Sequence, residues 1–345
     1  MLVGRSRPGT PARYRSGRTT RPRRGGPAAL TAFGEARPNP VLRFIEGERV
    51  SVLGRLEQLQ LIVVTGKGGV GKSTVTAALG AMLANRGRRV LLIEVDPREN
   101  LHLLLDTPPS GGEIIEAASN LWVQHLEPRR LLDDLIMEKL KVGVLARKVL
   151  SSPVHFHFTE GAPGLKQTAV FGRALRLVEG HGPKQLRRPD VVILDAPASG
   201  HGIAWMAAPQ LVSEVISSGP IGHMATEIAG FLEDRNHFGS VVVTTAEEMP
   251  VQESLELIGA MGERLDRQPE LVVVNAVYPP LPARPGRDAS TRLWARRRAV
   301  NEHELARLSE RWDGTLVEIP LEPIDAGPAL VGVVGEHLAR ALGDR

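Results

Sequence analysis

The sequence of 345 residues contains no cysteine. This absence excludes disulfide frameworks, iron–sulfur clusters, thiolate nucleophiles and metal sites built from thiolates. Long apolar runs are missing too, and a transmembrane helix needs about 20 consecutive apolar residues, so a membrane-spanning helix is excluded. We therefore expect a soluble, cytoplasmic protein. The lack of cysteine allows a reducing compartment without requiring one.

Positive charge is concentrated at the N-terminal end. Residues 1–50 contain eleven arginines against three acidic residues, Glu35, Glu46 and Glu48, a local balance of +8. Because the whole chain carries a formal charge of +4, the remainder carries −4. The basic composition, which would otherwise indicate a nucleic-acid or anionic-membrane partner, thus belongs to one end and not to the body.

The same N-terminal residues are rich in Arg, Pro and Gly and lack helical or strand periodicity. Such a segment buries too little apolar surface to offset its ordering entropy, so residues 1–50 are predicted to be disordered. A phosphate-binding arm, a targeting peptide and a twin-arginine signal at Arg23–Arg24 are alternatives to a solvated tail or a translated leader. No apolar run of the required length follows the arginine pair, which disfavours a signal peptide.

From Leu53 onward, short apolar runs alternate with helical periodicities, a pattern typical of parallel strands joined by crossover helices. The runs are rich in β-branched residues, which indicates strands buried on both faces. The predicted fold is α/β, with a doubly wound, mainly parallel sheet. Strands are predicted at Leu61–Thr65, Val90–Val95, Val191–Leu194, Val241–Thr245, Leu271–Asn275 and Leu316–Ile319.

About ninety residues separate the second and third predicted strands, far more than one crossover requires. They include helix-like stretches near Leu131–Leu150 and Leu165–Val178. We therefore predict a helical insert at about residues 100–185. The insert is either a partner surface or plain helical packing.

A phosphate-binding motif directly follows the first predicted strand. The sequence GKGGVGKST matches the pattern G-x-x-x-x-G-K-[ST], and apolar residues at helical spacing follow it. Glycines let the loop backbone point successive N–H groups at a phosphate, and the helix N-terminus adds its positive end. The motif consists of Gly66, Lys67, Gly68, Gly69, Val70, Gly71, Lys72, Ser73 and Thr74.

The residue types of the motif suggest how ATP is held, in a fold of P-loop NTPase type. Lys72 would reach the β- and γ-phosphates, and Thr74 would contact the α-phosphate. Ser73 would place its hydroxyl on Mg²⁺, a hard cation that prefers oxygen ligands. ATP and Mg²⁺ are therefore the expected ligands.

The first lysine of the motif, Lys67, is not required by an ordinary phosphate-binding loop. With it, the motif resembles the deviant Walker A form shared by the arsenite-pump, chromosome-partitioning and septum-site ATPases. This resemblance implies that Lys67 reaches across a dimer interface to the nucleotide of the partner subunit. The implied assembly is a nucleotide-sandwich homodimer in which each subunit helps to stabilise the other's transition state.

Two further motifs resemble elements of the arsenite-pump family and of its eukaryotic relative that targets tail-anchored membrane proteins. The segment Asp96–Asn100, with sequence DPREN, resembles switch I, which implies that Asp96 positions the attacking water. On local grounds alone, a carboxylate at a strand end can orient water, or the Asp-Pro pair can simply begin a turn.

The segment Asp195–His201, with sequence DAPASGH, resembles the switch II motif DTAPTGH. The resemblance implies that Asp195 acts on Mg²⁺ through water and that the N–H of Gly200 senses the γ-phosphate. Ala196 replaces the first threonine of that motif and lacks its hydroxyl.

Two residues near the C-terminal end resemble the adenine-binding pair of the family. They are Asn275, after the fifth predicted strand, and Pro320, after the sixth. An asparagine amide offers both a donor and an acceptor, which matches an adenine edge. The resemblance covers roughly residues 55–340 and identifies the chain as a member of the arsenite-pump type of P-loop ATPase. A single ATPase domain over residues 51–345 is expected.

The missing cysteines limit what the resemblance implies. Arsenite pumps gather the metalloid with three thiolates, and the tail-anchor-targeting relative joins its subunits through a Cys-x-x-Cys zinc site. His155 and His157 have no third ligand at a suggestive spacing, so no metalloid or similar metal site is expected. The predicted function is a Mg²⁺-dependent, ATP-hydrolysing switch that engages an unidentified partner or client protein.

Two other functions stay open. A partitioning or positioning ATPase would dimerise with ATP on DNA or a membrane. The acidic body and the weakly basic segment Gly335–Leu342 disfavour it, so neither partner is expected. The third possibility is a nucleotide-binding scaffold with little turnover.

Overall fold

The computed structural model describes residues 51–95, 98–140, 163–184, 186–197, 202–281 and 288–343. The N-terminal segment predicted to be disordered, residues 1–50, lies outside the described residues. The described strands are β1 (Leu61–Thr65), β2 (Val90–Glu94), β3 (Ile115–Ala118), β4 (Leu121–His125), β5 (Val191–Asp195), β6 (Phe238–Thr245), β7 (Leu271–Val277) and β8 (Leu316–Pro320).

Helices connect these strands. They are α1 (Val52–Gln58), α2 (Lys72–Asn85), α3 (Leu101–Leu105), α4 (Pro128–Leu140), α5 (Leu165–Val178), α6 (Gly202–Val215), α7 (Gly219–Glu233), α8 (Glu248–Leu265), α9 (Ala289–Arg311) and α10 (Pro328–Ala341). Helices α2 and α5 match helical stretches that the sequence indicated, and α4 overlaps the first part of the stretch predicted near Leu131–Leu150.

The strands form one eight-stranded sheet in the order β3-β4-β2-β5-β1-β6-β7-β8. All neighbours pair in parallel except β3, which runs antiparallel to β4. The predicted mainly parallel α/β fold is confirmed, and all six predicted strands are present. Because β1 lies in the interior of the sheet, the loop that follows it opens at the carboxyl edge, where ligands bind in open α/β sheets.

Helices cover both faces of the sheet, as a doubly wound fold requires. Along β1, Ile62 and Val64 pack into one apolar cluster with α1, α2, α3 and α10. Leu61 and Val63 point to the opposite face and pack with α5 to α9. Alternate residues of a strand point to opposite faces, so two cores form from one continuous apolar run.

The region predicted as a helical insert also supplies two strands to the sheet. β4 pairs with β2, and β3 closes that edge as a short antiparallel strand. The helices of the region, α4 and α5, meet α6 and α7 around a smaller cluster that includes Leu132 and Leu165. Residues 141–162 of the insert lie outside the described residues.

Candidate functional site

The predicted phosphate-binding loop connects β1 to α2. The first turn of α2 begins with Lys72, and its N-cap residue, Gly71, has no side chain to cap the helix. The backbone N–H groups at a helix N-terminus have no partner within the helix, and the helix dipole adds positive potential there. An anion such as a phosphate is the natural partner for these groups.

Two glycines of the loop are fixed by close backbone and side-chain contacts. Gly66 has φ of 146°, and a Cβ atom there would lie 2.1 Å from the carbonyl oxygen of Val243 on β6. Gly71 has φ of 90°, and its Cβ would lie 2.2 Å from the Nδ2 atom of Asn275. Neither position accepts a side chain without a shift of its neighbours.

Lys72 is almost fully buried, with 7% of its surface exposed. Its Nζ donates a hydrogen bond to the carbonyl oxygen of Lys67, 3.0 Å away, so the side chain curls back along the loop. The loop therefore holds a positive charge inside the cradle formed by its own backbone. This is where the phosphates of a nucleotide would lie.

Asp195 ends β5 beside the first turn of α2 and is 3% exposed. The Ser73 hydroxyl donates to its Oδ2 at 2.6 Å, and the Thr76 hydroxyl lies 3.3 Å from its Oδ1. Burial raises the pKa of the Asp195 carboxyl to about 7, aided by the nearby charge of Glu94 and opposed by the Ser73 hydrogen bond and the charge of Lys72.

The Ser73 and Asp195 oxygens fit a magnesium site. A hydroxyl and a carboxylate are the hard donors that Mg²⁺ prefers, and they lie in hydrogen-bond contact at the base of the loop. A bound cation would favour the ionised form of the buried carboxylate, whose negative charge is otherwise poorly solvated. Thr76, one turn after Ser73, holds the second carboxylate oxygen.

Glu94, at the end of β2, is a buried carboxylate that the sequence reasoning missed. It pairs with Asp195 in the β2–β5 register and is 1% exposed. Its oxygens accept hydrogen bonds from the Asn100 backbone N–H at 2.9 Å and the Leu101 N–H at 3.2 Å. Burial raises the pKa of Glu94, and these hydrogen bonds oppose the shift. The signal in the sequence was a charged residue ending an otherwise apolar strand.

Through these hydrogen bonds, Glu94 fixes the position of Asn100, the last residue of the segment predicted as switch I. Asp96, predicted to position the attacking water, lies outside the described residues, as does Gly200, predicted to sense the γ-phosphate. In the sequence, Asp96 follows the end of β2 by two residues and Gly200 follows the end of β5 by five, and the carboxyl ends of these two strands lie side by side.

Lys67 has an ion-pair partner within its own chain. Its Nζ lies 2.5 Å from the Oε1 atom of Glu253 on α8, and about a third of each side chain is exposed. No local pattern points to Glu253, because it belongs to an ordinary amphipathic helix far along the chain. The structure thus places Lys67 at the rim of the loop, held toward α8.

Of the two residues predicted to bind adenine, Asn275 contacts the loop. Asn275 is on β7, and Pro320 ends the neighbouring strand β8. The Asn275 side-chain amide donates to the Val70 carbonyl oxygen at 3.0 Å, so part of its hydrogen-bonding capacity supports the loop. Its amide oxygen stays available for another donor in the described structure.

Metal and membrane features are limited in the described residues. No group of three or more histidine, aspartate or glutamate side chains converges there as a metal cluster. His155 and His157 lie outside the described residues. None of the helices in the described part of the chain has the length and apolarity needed to cross a bilayer.

In comparisons with known proteins, the family model and the similar relatives are all ATPases. The model of the anion-transporting ATPase family, the arsenite-pump family, matches residues 59–229. ATPase BagA of Mycobacterium tuberculosis is 31% identical over 245 residues, which cover 68% of this chain and 69% of the relative. The arsenical pump-driving ATPase of Escherichia coli is 26% identical over 79% of this chain and 48% of its own length. ATPase asna-1 of Caenorhabditis elegans is 24% identical over 81% of this chain and 94% of its own.

Proposed function

Because the chain belongs to the anion-transporting ATPase family, we propose that it binds ATP with Mg²⁺ at the loop after β1 and hydrolyses it as a molecular switch. The observation that carries this proposal is the contact between Ser73 and the buried Asp195, directly below a loop that encloses Lys72. These groups offer a cation and hard oxygen ligands within one turn of a helix N-terminus.

In the proposed reaction, water attacks the γ-phosphate in line with the departing ADP. Lys72 and the loop N–H groups bind the β- and γ-phosphates and stabilise the charge that develops on their oxygens. Asp96 orients the attacking water, and Asn275 and Pro320 hold the adenine. Mg²⁺, held through Ser73 and Asp195, would add positive charge at the phosphates. Gly200 would report through its N–H whether the γ-phosphate is present.

We propose that the active form is a homodimer with the nucleotides at the interface. Lys67 lies at the rim of the loop with a third of its side chain exposed, which is compatible with contact to a second subunit. To reach the partner's nucleotide, its ammonium group must leave Glu253. Each active site would then need one Lys72 from its own chain and one Lys67 from the other.

The switch would act on a partner or client protein, in a cytoplasmic setting. The relative from E. coli drives an arsenical pump by its name, but this chain has no cysteine with which to bind a metalloid as thiolate-based pumps do. We therefore propose a client other than a thiolate-bound metalloid.

ATP hydrolysis measured over a range of protein concentrations tests the proposal. We expect the specific rate to rise with concentration, to collapse in Lys72→Ala and Lys67→Ala, and to be unchanged in Lys184→Ala, an exposed lysine outside the loop. Asp96→Asn should retain ATP binding and lose turnover. ATP binding without turnover at any concentration would contradict the proposal and favour the nucleotide-binding scaffold.

A further inference from the structure

A cavity of about 630 Å³ lies apart from the phosphate-binding loop. Its walls come from residues 111–114, the end of β4, helices α4 and α5, and Met224 of α7. No residue of the loop or of its Ser73–Asp195 pair lines it. The cavity therefore needs an explanation separate from nucleotide binding.

Arg173 of α5 lines this cavity and is half-buried. It makes neither an ion pair nor a hydrogen bond with any residue in the described part of the chain. Arg176, one turn along the helix, lines the same cavity. Burial, together with the neighbouring positive charge of Arg176, lowers the pKa of Arg173, although an arginine remains a cation.

A half-buried cation without a counter-charge is costly, since it gives up water without gaining a partner. A bound anion would offset that cost. The guanidinium presents parallel N–H donors, which match the paired oxygens of a carboxylate or a phosphate. Arg173 is thus suited to an acid group that enters from outside the protein.

The remaining walls are suited to an apolar body. Ile114, Leu131 and Met224 are partly exposed to the cavity and packed against the core behind them. Three carboxylates, Glu113, Glu127 and Asp134, also line it, but they are exposed, and none is within ion-pair distance of Arg173. Solvent screens exposed charges of this kind more strongly than a half-buried one.

Hydrogen bonds fix the part of the cavity wall that residues 111 and 112 form. Glu99 accepts from the backbone N–H groups of Ser110 at 2.7 Å and Gly111 at 3.0 Å. The buried side chain of Gln124 donates to the Gly112 carbonyl oxygen at 2.7 Å. A wall fixed in advance lowers the ordering cost of binding a ligand.

We propose that this cavity binds an organic anion that carries a carboxylate or phosphate group on an apolar body. The acid group lies against Arg173, and the apolar body lies against Ile114, Leu131 and Met224. The cavity is in the size range of small-molecule sites, about 300–1,000 Å³, and is too large for an inorganic anion alone. The proposal does not depend on ATP hydrolysis.

Calorimetric titration of the full chain tests the proposal, with saturating ADP present to occupy the loop. The probes are octanoate, octyl phosphate, 1-octanol and octylammonium, which share one apolar chain and differ in the head group. We expect both anions to bind at least about tenfold more tightly than the alcohol, and octyl phosphate to bind more tightly than inorganic phosphate. Comparison of octanoate with octyl phosphate identifies the preferred acid group.

The matched variants are Arg173→Met and Arg296→Met. Methionine keeps the apolar length of Arg173 and removes an unpaired charge, so the variant should fold, with an unchanged or higher unfolding midpoint. It should lose the preference for anions over the alcohol, whereas the exposed Arg296 on α9 should make no difference. Equal affinity for octylammonium and octanoate, unchanged anion binding in Arg173→Met, or no binding of any probe would overturn the proposal.

Discussion

At the scale of single residues, Lys67 has one partner in the isolated chain and a different proposed partner in the dimer. The ion pair with Glu253 is only partly buried, and pairs of this kind contribute about 0–1 kcal/mol. Such an ion pair orients the Lys67 side chain but is weak enough to break when another partner is available. In the proposed dimer, the nucleotide of the second subunit would offer more negative charge, so the exchange of partners would favour dimer formation once ATP is bound.

Glu253→Gln should therefore make dimer formation easier. Without the carboxylate, Lys67 has no partner to leave, and a symmetric dimer breaks two such pairs. The protein concentration at half-maximal ATPase rate should therefore fall by up to roughly 30-fold. Glu256→Gln, one turn along α8, is the control, because Glu256 accepts from Gln252 and not from Lys67. A higher half-maximal concentration in Glu253→Gln would contradict this reading of the ion pair.

A second residue pair makes the stability of the fold depend on pH. Arg89 lies just before β2, and Asp190 lies just before β5. The Asp190 carboxylate accepts hydrogen bonds from the Arg89 guanidinium and, at 2.8 Å, from the Arg89 backbone N–H. The hydrogen bond from the Arg89 side chain holds the pKa of Asp190 below its ordinary value. This stabilisation is present above the unfolded-state pKa near 4 and is lost as the pH falls through the lower, folded-state value.

Asp190→Asn should lower the free energy of unfolding by about 1 kcal/mol at pH 7, and the difference from wild type should shrink toward pH 2. Urea unfolding at the two pH values measures this. Asp266→Asn serves as the control, because Asp266 and its partner Arg235 are both largely exposed and should contribute only a few tenths of a kcal/mol. A constant difference at both pH values would count against the pairing.

At the scale of elements, the loop between β1 and α2 depends on two different properties of glycine. Gly66 and Gly69 both have positive φ, of 146° and 84°. A Cβ at Gly66 would meet the backbone of β6, whereas a Cβ at Gly69 would meet nothing within 4 Å. Gly66 is required both for its positive φ and because no space exists for a Cβ atom. Gly69 is required only for its positive φ.

Gly66→Ala should therefore cost much more than Gly69→Ala. We expect a loss of at least about 2 kcal/mol of unfolding free energy at Gly66, together with loss of ATP binding, against about 1 kcal/mol at Gly69. Urea unfolding and nucleotide titration of both variants measure the contrast. Equal losses would mean that the close approach to Val243 does not constrain the loop.

The elements that the sequence predicted correctly share a strong local pattern. Five of the six predicted strands are apolar runs buried on both faces, and the sixth, β8, alternates buried with more exposed residues at the sheet edge. The loop before α2 has a motif that matches one strand–loop–helix arrangement. β3 and β4 escaped prediction because polar residues shorten their apolar pattern, Glu116 in β3 and Gln124 and His125 in β4. Glu253 depends on a contact with Lys67 from a distant element, which no local pattern reveals.

At the scale of the whole molecule, the charge is divided between two parts of the chain. Residues 1–50 carry +8 and the rest carries −4. If the proposed switch resides in residues 51–345, the basic segment is dispensable for hydrolysis and accounts for any attraction to polyanions.

Removal of residues 1–50 should leave the specific ATPase rate within about twofold and abolish salt-sensitive retention on DNA. Filter binding at low and moderate salt, alongside the ATPase assay, measures both effects. DNA retention by the shortened protein would instead favour a partitioning ATPase, whose nucleic-acid surface lies in the body.

In the proposed dimer each active site combines Lys72 of one subunit with Lys67 of the other, and mixing two inactive variants distinguishes this arrangement from a site built within one chain. Lys67→Ala and Lys72→Ala are each assayed alone and then in equal mixture. We predict that neither hydrolyses ATP alone and that the mixture regains about a quarter of the wild-type rate, because half of random dimers are mixed and each has one complete site. A mixture as inactive as its components would contradict the shared active site.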